Sequence, residues 1–482
     1  MVASSNRKWW ALALLSVVQF MIVLDIAIVN VALPSIQEDL GFSQENLQWV
    51  ISAYALVFGG FLLLGGRAAD LMGRRRLFIA GLAVFSASSL LAALAWNEPS
   101  LIGARALQGL GAAIIAPAAL SILMTTFSEG KERNVALGVW GAVGGFGAAA
   151  GVLMGGLFTD ALSWEWIFYI NIPVGLAAMA LAPVLLAESR DARAQSFDAL
   201  GAVLVTAGLS TAVFGITQAN EYGWTSAATI GIFTAAVLLL AGFVLRETRA
   251  KDPLMSFSIF KIKTVAGANI AGFILGTALF SMFLMLTLYM QQVLGYSAMK
   301  TGIAYIAVAG TSIVWAMVAQ MLVTRVGVKP VLVTGMSLLT VGLLYFTQVS
   351  VEGSYLGDLL PGFLVIAMGM AFAFVSISIA ALAGVPAKDA GLASGLINTS
   401  QQIGGALGIA VLSSVAIAQS NDATAAGDAV PEALTTGFQA AFWVGAGIAA
   451  VGVVASLILV RKDELATMPS FETEREALPE AA

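Results

Sequence analysis

Long apolar stretches follow one another along almost the whole chain. Each has about 20 residues or more with few or no charges, and short polar connections separate them. A helix needs about 20 apolar residues to cross the hydrocarbon core of a bilayer, and it satisfies its own backbone hydrogen bonds there. The pattern predicts an all-α membrane protein with 14 crossings. The stretches cover residues 10–33, 47–66, 77–96, 100–125, 135–158, 165–187, 199–219, 225–245, 264–290, 301–323, 330–350, 356–383, 391–418 and 436–460.

The composition agrees with a membrane protein and excludes several kinds of chemistry. Of 482 residues, 59% are hydrophobic and only 11% are charged. The chain contains no cysteine and no histidine, so disulfides, thiolate chemistry and imidazole metal ligands are excluded. Because the connections contain no nucleophile–base pair and no metal-ligand pattern, we expect neither an enzyme nor a bound metal or cofactor. The first stretch is too long for a signal-peptide core and is interpreted as the first crossing.

The basic residues orient the predicted crossings. All of them except Arg105 and Lys300 lie in alternate connections or in the terminal segments, whereas the intervening connections are acidic. Lys and Arg concentrate on the cytoplasmic side of membrane proteins. The alternation therefore predicts an even number of crossings, with both termini cytoplasmic. We expect the protein in the cytoplasmic membrane of a bacterium.

An internal repeat divides the chain into two halves. The segment "KERNVALG" from Lys131 recurs as "KDAGLASG" from Lys388, a shift of 257 residues, and Gly147 and Gly404 share that shift. Paired halves of this kind form the central site of many secondary transporters. The linker between the halves either lies along the membrane interface or forms a plain connecting helix. The predicted domains are a six-helix bundle (1–190), a two-helix insert (191–247), a cytoplasmic interfacial linker (248–263), a second six-helix bundle (264–461) and a cytoplasmic tail (462–482).

Two charged residues interrupt the apolar stretches. Asp25 lies in the first stretch and Arg105 in the fourth. A charge at the centre of a bilayer costs about 2.5–3.5 kcal/mol on insertion scales, and such groups usually face a water-filled cavity or a charged partner. At 1.5 Å per residue, Asp25 lies about 12 Å and Arg105 about 8 Å below the same surface. We predict that the two side chains meet and that Asp25 exchanges a proton with a watery vestibule.

The second half of the repeat lacks these charges. The positions 257 residues after Asp25 and Arg105 are Met282 and Gly362, so we expect proton handling to belong to the first half. In the alternative interpretation, Arg105 extends to the membrane surface and Asp25 bonds only to neighbouring backbone, so the two charges have no joint role.

Five residues are candidates for lining a substrate cavity. Gln108 shares a helical face with Arg105. Met282 and Phe283 belong to a soft, aromatic surface of the ninth helix that suits varied lipophilic molecules. Asn398 and Gln402 lie on nearly one face of the thirteenth helix. Core packing or lipid contact explains the ninth-helix residues equally, and hydrogen bonding between helices explains the two amides equally.

The segment "GGRAADLMGRRR" from Gly65 joins the second and third helices. Gly73 permits a tight turn there, and Asp70 precedes Arg74 by four residues, which is a favourable spacing for an ion pair. We predict a gate that latches the halves on the cytoplasmic side, although the arginines alone also explain a simple topology signal. The predicted gate residues are Gly66, Arg67, Asp70, Gly73, Arg74 and Arg75.

The fifth helix is rich in glycine. Gly147, Gly151 and Gly155 are spaced four residues apart, and Gly156 follows. Small residues at this spacing let two helix backbones approach closely. Close packing explains the pattern, and a hinge that bends or slides is the functional interpretation of the same four residues.

Together these segments resemble the major facilitator superfamily, in particular its 14-helix drug:proton antiporter branch. "LDIAIVNVALPSI" from Leu24 is similar to the first-helix motif of that branch, and "RALQGLGAAIIAP" from Arg105 to the fourth-helix motif. The segment from Gly66 matches the loop motif G-x-x-x-D-x-x-G-R-[KR]. The resemblance implies the major facilitator fold, with proton coupling by Asp25 and Arg105 and gating by the loop motif. Val152 departs from the family's pattern, since a proline commonly follows the glycine at this point of helix five.

The resemblance also implies a function. It is proton-coupled export of amphipathic, drug-like compounds by alternating access, with the proton gradient as the energy source and no cofactor. The expected partners are a small lipophilic or cationic substrate, protons and membrane lipids, with no nucleic acid, and the protein is expected to be a monomer. The alternatives are a dedicated exporter of one metabolite or antibiotic, a symport importer, and a membrane receptor or scaffold that does not transport.

Overall fold

The structure is a computed structural model that describes residues 5–127, 131–190, 198–250, 253–254, 257–385 and 390–461. The secondary structure of these residues is helical, without β-strands. The predicted tail, 462–482, and part of the predicted linker lie outside the described residues, and the domain boundaries stay predictions.

Fourteen long helices, numbered α1–α14, follow one another in the part of the chain that the structure describes. Short helical turns lie between some of them, at Gln44–Leu47, Trp166–Tyr169, Phe257–Lys261, Tyr289–Val293, Ala298–Ala304 and Tyr355–Leu359. The long helices are α1 Ser5–Leu40, α2 Trp49–Met72, α3 Arg74–Ala93, α4 Glu98–Thr126, α5 Lys131–Ala161, α6 Asn171–Leu185, α7 Ala199–Tyr222, α8 Ala227–Arg249, α9 Lys263–Leu288, α10 Ile306–Val326, α11 Val328–Phe346, α12 Leu360–Ala380, α13 Ala390–Ala426 and α14 Val430–Leu459.

Thirteen helical segments in the described residues are long and apolar enough to cross a membrane. They include every long helix except α5, in which several side chains lie outside the described part of the chain; the apolar part found there is Phe146–Ala161. The prediction of an all-α, multi-pass membrane protein is confirmed. The predicted 14 crossings are close to the count of 13.

Polar caps set where several helices begin. Asn97 Oδ1 accepts a hydrogen bond from the backbone N–H of Ser100 at 2.9 Å at the start of α4. Ser226 caps α8 in the same way through the backbone N–H of Thr229. Such caps satisfy N–H groups that have no partner within the helix, so short polar segments suffice to end one crossing and begin the next.

Glycines bring α5 against α1 and α13 against α9. A Cβ atom added to Gly151 would lie 2.8 Å from the carbonyl oxygen of Leu24, and one added to Gly408 would lie 2.9 Å from that of Thr277. Backbones approach this closely only where no side chain intervenes. Gly151 and Gly408 are related by the sequence shift of 257 residues, so the repeat corresponds to the same helix contact in both halves.

The first helices of the two halves follow a slightly different shift. Because Leu24 corresponds to Thr277 in these contacts, α9 is related to α1 by 253 residues rather than 257. The residue of α9 equivalent to Asp25 is therefore Ala278, which is buried, and not Met282. Neither residue carries a charge. The asymmetry between the halves is thus unchanged, and proton handling by the first half stays a prediction.

Helix α7 lies across the seam between α2 and α13. The Nε2 group of Gln48, just before α2, donates a hydrogen bond to Thr217 Oγ1 of α7 at 3.1 Å. On the other side, Asn220 Nδ2 donates to the backbone carbonyl of Ser414 in α13 at 2.9 Å. Thr206 of α7 also packs directly against Gly60 of α2. Helix α7 of the inserted pair therefore bridges α2 and α13 on this side.

The two halves touch directly along α2 and α13, where Thr399 Oγ1 donates to the backbone carbonyl of Gly59 at 3.1 Å, and also at one end of the bundle. This is the acidic end, where α1 finishes and α2 begins; the basic end is where α2 finishes and α3 begins. At the acidic end, Gln291 Nε2 donates a hydrogen bond to the backbone carbonyl of Val31 at 2.9 Å. The backbone N–H of Met299 donates to Asp160 Oδ2, also at 2.9 Å. These contacts bring the halves together at the acidic end.

Candidate functional site

Asp25 of α1 and Arg105 of α4 form an ion pair inside the first half. Arg105 Nη1 donates to Asp25 Oδ2 at 2.7 Å. The side chain of Asp25 is 0% exposed and that of Arg105 is 1% exposed. The structure thus brings together the two residues predicted for proton coupling. It excludes the alternative in which Arg105 extends to the surface.

Three uncharged residues, Gln108, Asn171 and Ser89, surround this ion pair. Together with Asp25 and Arg105 they form what we call the carboxylate network. Gln108 Nε2 donates to Asp25 Oδ1 at 2.7 Å and to Ser89 Oγ at 2.9 Å, while its Oε1 accepts from Arg105 Nη1 at 2.6 Å. Asn171 Nδ2 donates to Asp25 Oδ1 at 2.8 Å. The network therefore connects four helices, α1, α3, α4 and α6, around one carboxylate.

The guanidinium of Arg105 has further contacts on α2 and on the short turn Trp166–Tyr169. Its Nε donates to the backbone carbonyl of Val50 at 2.9 Å. Its Cζ lies 4.5 Å from the centre of the Tyr54 ring and 5.7 Å from that of Phe168. Aromatic faces attract a cation most strongly where water is excluded. Arg105 is therefore a fully enclosed cation with defined partners on several sides.

Local sequence explains why these side chains meet. Arg105 and Gln108 are three residues apart on α4 and so lie on one helical face. The neighbouring Gly109 has no side chain, which lets the backbone of α4 contact that of Tyr54 in α2. Asn171 is the first residue of α6, directly after the short turn Trp166–Tyr169.

The environment of Asp25 differs from the watery vestibule expected from the sequence. The carboxylate is enclosed by protein and accepts hydrogen bonds from Arg105, Gln108 and Asn171. Three donors, one of them a cation, take the place that water has around an exposed carboxylate. The charged partner predicted for Asp25 is present in the structure, whereas a watery vestibule beside its carboxylate is not seen among the described residues.

Sequence reasoning missed Asn171 and Ser89. Both are neutral polar residues within apolar stretches, in "FYINIPVG" and in the third crossing. A polar residue within an apolar stretch is the sequence signal that could have identified them as site residues. The signal is weak, because such residues also form ordinary hydrogen bonds between helices.

The loop-motif residues form a compact cluster within the first half. Arg74 Nε and Nη2 donate to Asp70 Oδ1 at 2.9 and 2.8 Å. Gly73 has a φ of +112°, and a Cβ added there would lie 2.8 Å from Glu188 Oε1. The same carboxylate oxygen accepts from the backbone N–H of Arg75 at 3.1 Å. These contacts fix the α2–α3 turn to the segment after α6.

The two remaining gate residues lie earlier on α2. Gly66 packs against Pro117 of α4, where an added Cβ would lie 3.4 Å from the proline Cβ. Arg67 is exposed. Among the described residues, the contacts given for Gly66 and for the Asp70–Arg74 cluster lie within the first half, so a latch between the halves stays a prediction.

The predicted hinge residues of α5 lie in helix contacts. Gly147, Gly151 and Gly155 all face α1, and a Cβ added to Gly155 would lie 2.6 Å from the carbonyl oxygen of Ile28. Gly156 instead faces the other half, where a Cβ added to it would lie 2.6 Å from the carbonyl oxygen of Ala298. These contacts agree with close packing, and the hinge stays a prediction.

The predicted cavity residues lie in separate places. Gln108 belongs to the carboxylate network. Met282 is buried in the core of the second half, and the ring of Phe283 lies 5.1 Å from that of Tyr305. Asn398 is exposed and bonds to its own helix, whereas Gln402 packs against α2, with its Cβ 3.0 Å from a Cβ added to Gly59.

A cavity of about 750 Å³ lies elsewhere, between α2 and the inserted helices. Its lining is mostly apolar, and it contains none of the residues predicted for a substrate site. The lining includes Trp49, Ser210, Phe214, Ala228 and Ile232.

Helices long and apolar enough to cross a membrane, an internal repeat whose two copies make the same helix contact, and a buried ion pair are typical of a multi-pass membrane protein of the transporter type. Residues 15–409 match the family model of the Major Facilitator Superfamily. The chain belongs to this superfamily, which confirms the resemblance inferred from the motifs.

Comparisons with individual proteins agree with this assignment. The puromycin resistance protein pur8 of Streptomyces alboniger is 40% identical over 423 residues, which cover 87% of this chain and 83% of that protein. The cephamycin export protein CmcT of Amycolatopsis lactamdurans is 39% identical over 409 residues, 84% of each chain. The crystal structure of the nucleoside transporter NupG superposes with a TM-score of 0.66, covering 95% of this chain and 100% of that one. At 15% identity, this last likeness shows the fold alone.

Proposed function

We propose that this protein is a proton-coupled secondary transporter that exports amphipathic, drug-like compounds by alternating access. It works in the bacterial cytoplasmic membrane with the basic end and both termini in the cytoplasm, because Lys and Arg concentrate at that end. Membership of the superfamily and the names of the antibiotic resistance and export proteins that it resembles support this function.

The observation that carries the proposal is the buried carboxylate network. Ionised Asp25 pairs with Arg105 and thereby connects α1 to α4. A proton taken up from outside neutralises the carboxylate and removes its charge-assisted hydrogen bonds, which are roughly twice as strong as neutral ones. The contacts among α1, α4 and α6 then weaken, and the first half can tilt against the second. Release of the proton to the cytoplasm restores the pair.

The substrate in this proposal is a small lipophilic or cationic molecule taken from the cytoplasm or the inner leaflet. The proton gradient supplies the energy without a cofactor, and the functional unit is a monomer surrounded by lipid. In this proposal the substrate crosses the membrane without any change in its covalent bonds, so the chain acts as a transporter and not as an enzyme.

Transport by purified protein in lipid vesicles tests the proposal. Ethidium and puromycin are suitable probes, with an imposed pH gradient and a protonophore control. We expect flux to follow the gradient and to stop with the protonophore, and Asp25→Asn to lose the gradient-driven part. Flux that ignores the gradient would exclude antiport, and accumulation together with protons would indicate a symport importer. A lack of flux for a broad panel would favour a receptor or scaffold.

Export of a single antibiotic is the second candidate function. The names of the two relatives each refer to one antibiotic or antibiotic class, puromycin and cephamycin. Competition distinguishes the two functions in the same vesicles. A multidrug exporter gives mutual inhibition among unrelated lipophilic cations, whereas a dedicated exporter responds to one chemical class.

A further inference from the structure

We propose that Asn171 is a positioning residue that accommodates the proton on Asp25 by rotating its amide. The amide donates to the ionised carboxylate and, after half a turn, accepts a hydrogen bond from the protonated acid. This inference rests on the proposed proton coupling and assigns part of it to a residue of α6 outside the predicted site.

All partners of the Asp25 carboxylate in this structure are donors. Oδ1 accepts from Gln108 Nε2 at 2.7 Å and from Asn171 Nδ2 at 2.8 Å, while Oδ2 accepts from Arg105 Nη1 at 2.7 Å. The arrangement therefore suits the ionised acid. A protonated carboxyl instead carries an O–H group, and a buried O–H group without an acceptor is costly.

Gln108 is unable to supply that acceptor. Its Oε1 already accepts from Arg105 Nη1 at 2.6 Å, and its Nε2 donates to Ser89 Oγ as well as to Asp25. Rotation of this amide would direct its NH₂ group at the guanidinium, donor against donor. Since Arg105 keeps its proton, the Gln108 amide stays in one orientation.

Asn171 differs from Gln108 in this respect. Its side chain is buried, at 1% exposure, and its Oδ1 has no hydrogen-bond partner among the residues that the structure describes. Half a turn about the last side-chain torsion exchanges Oδ1 with Nδ2, and this torsion of asparagine is broad and roughly two-fold. The rotation gives up one hydrogen bond and forms another, from the protonated Asp25 to Asn171 Oδ1.

Among the described residues, the hydrogen bonds of the Asp25 carboxylate are those to Arg105, Gln108 and Asn171. The titratable neighbours are Arg105 from α4 and Tyr54 from α2, whose ring lies over the guanidinium. The Tyr54 hydroxyl is also buried without a partner in the described part of the chain, but none of these hydrogen bonds joins it to Asp25. Helix α3 contributes Ser89, which already contacts Gln108. The proton is therefore assigned to Asp25 Oδ1, the oxygen that faces Asn171.

Vesicle transport of Asn171→Leu tests this assignment with two readouts. Net export requires the protonated carrier to return, whereas exchange of labelled for unlabelled ethidium at equal pH does not. We expect net export to fall about tenfold or more, as loss of a hydrogen bond to a buried group implies, with exchange within about twofold of wild type. Asn30→Leu is the matched control. Asn30 is also a buried asparagine, on α1, and its amide donates to its own helix at Ile26.

Infrared difference spectroscopy supplies a second measurement on the same proteins. The band of the protonated acid, identified by its loss in Asp25→Asn, is expected at higher frequency in Asn171→Leu because the O–H group has lost its acceptor. If Asn171→Leu does not fold, Asn171→Ser and Asn171→Ala are compared. They are close in size, and only the serine hydroxyl can donate or accept, so Asn171→Ser is expected to retain more net export.

Three outcomes would overturn the inference. They are an equal fall of exchange and net export in Asn171→Leu, an unshifted acid band, and equal net export by Asn171→Ser and Asn171→Ala. A failure of the proposed function is distinguishable, because wild type itself would then show no gradient-driven flux and no acid band dependent on Asp25.

Discussion

At the scale of single residues, the ion pair of Asp25 and Arg105 is costly to interrupt. Both charges are enclosed, and their attraction compensates for the water that each has lost. An enclosed pair of this kind adds little stability compared with apolar residues of the same size, but removal of one partner leaves the other charge uncompensated. Stability alone therefore does not explain the pair, and the proposed proton coupling gives it a role.

A double substitution separates these effects. Asp25→Asn leaves the Arg105 cation without its carboxylate, so we expect the free energy of unfolding to fall by about 3–5 kcal/mol. Asp25→Asn combined with Arg105→Gln removes both charges and is expected to recover part of that loss. Unfolding in detergent measures both, and gradient-driven export is expected to stay absent in each variant. The single variant Arg105→Gln completes the comparison. If the double variant loses as much free energy of unfolding as the two single variants lose together, this explanation is contradicted.

Gly73 gives a second prediction at this scale. Its φ of +112° and ψ of +124° lie in a region that residues with side chains rarely adopt, and an added Cβ would lie 2.8 Å from Glu188 Oε1. Gly73→Ala is expected to lower the free energy of unfolding by about 1–3 kcal/mol. The matched control is Gly447→Ala in α14, where no atom outside its own helix turn lies within 4 Å of an added Cβ in the part of the chain that the structure describes. Equal stability of the two variants would show that the turn tolerates a side chain.

The sequence predicts the charged part of the carboxylate network and not its neutral part. Asp25 and Arg105 are conspicuous because a charge within an apolar stretch is rare and expensive. Asn171 and Ser89 are not conspicuous, since neutral polar residues recur in membrane helices for packing reasons. The direction that each side chain faces depends on helix rotation, which one apolar stretch does not determine.

At the scale of helices, the contact of α5 with α1 depends on the missing side chains of its glycines. A Cβ added to Gly151 would lie 2.8 Å from both Ala27 Cβ and Leu24 O. Since Asp25 is part of the same segment of α1, separation of the two helices also disturbs the carboxylate network. The packing of α5 on α1 and the geometry of the carboxylate network therefore depend on the same contact.

The substitution Gly151→Ala tests this contact. We expect it to lower the free energy of unfolding by about 1–3 kcal/mol, as overpacking does, and to reduce export. Gly138→Ala is the matched control in the same helix, because no described atom beyond its own helix turn lies within 4 Å of its added Cβ. That variant is expected to be neutral or up to about 1 kcal/mol more stable. Unfolding curves and vesicle transport compare the two, and an unaffected Gly151→Ala would exclude the close contact.

The sequence predicts which helices exist better than it predicts which other helices they contact. Hydropathy predicts the crossings because length and polarity are enough to identify them. It did not place α7 on the seam between α2 and α13, since most residues of α7 are apolar and offer no single preferred face. The contact is specified by a few polar pairs, such as Gln48 with Thr217, and by the fit of Thr206 against Gly60.

At the scale of the whole molecule, the two halves are joined at the acidic end. Gln291 bonds to Val31 there, and Met299 bonds to Asp160. Access from the acidic end to the region between the halves requires these contacts to separate. Helix α7 contacts both halves, so it must move with one of them or lose hydrogen bonds to the other. Alternating access therefore predicts that a covalent bond across the acidic end stops transport.

The absence of cysteine from the sequence makes this test specific. In the double variant Asp160→Cys with Met299→Cys, a short bifunctional thiol reagent containing a disulfide joins the two halves where the Met299 N–H now bonds to Asp160 at 2.9 Å. We expect export to stop on cross-linking and to return when a reductant cleaves the reagent. Each single variant, treated in the same way, is expected to keep its activity and thus controls for modification.

Substrate binding at equilibrium should persist in the cross-linked protein, because only the exchange between the two faces is blocked. Full export by protein shown to be cross-linked would exclude separation of the halves at this end as a step of transport.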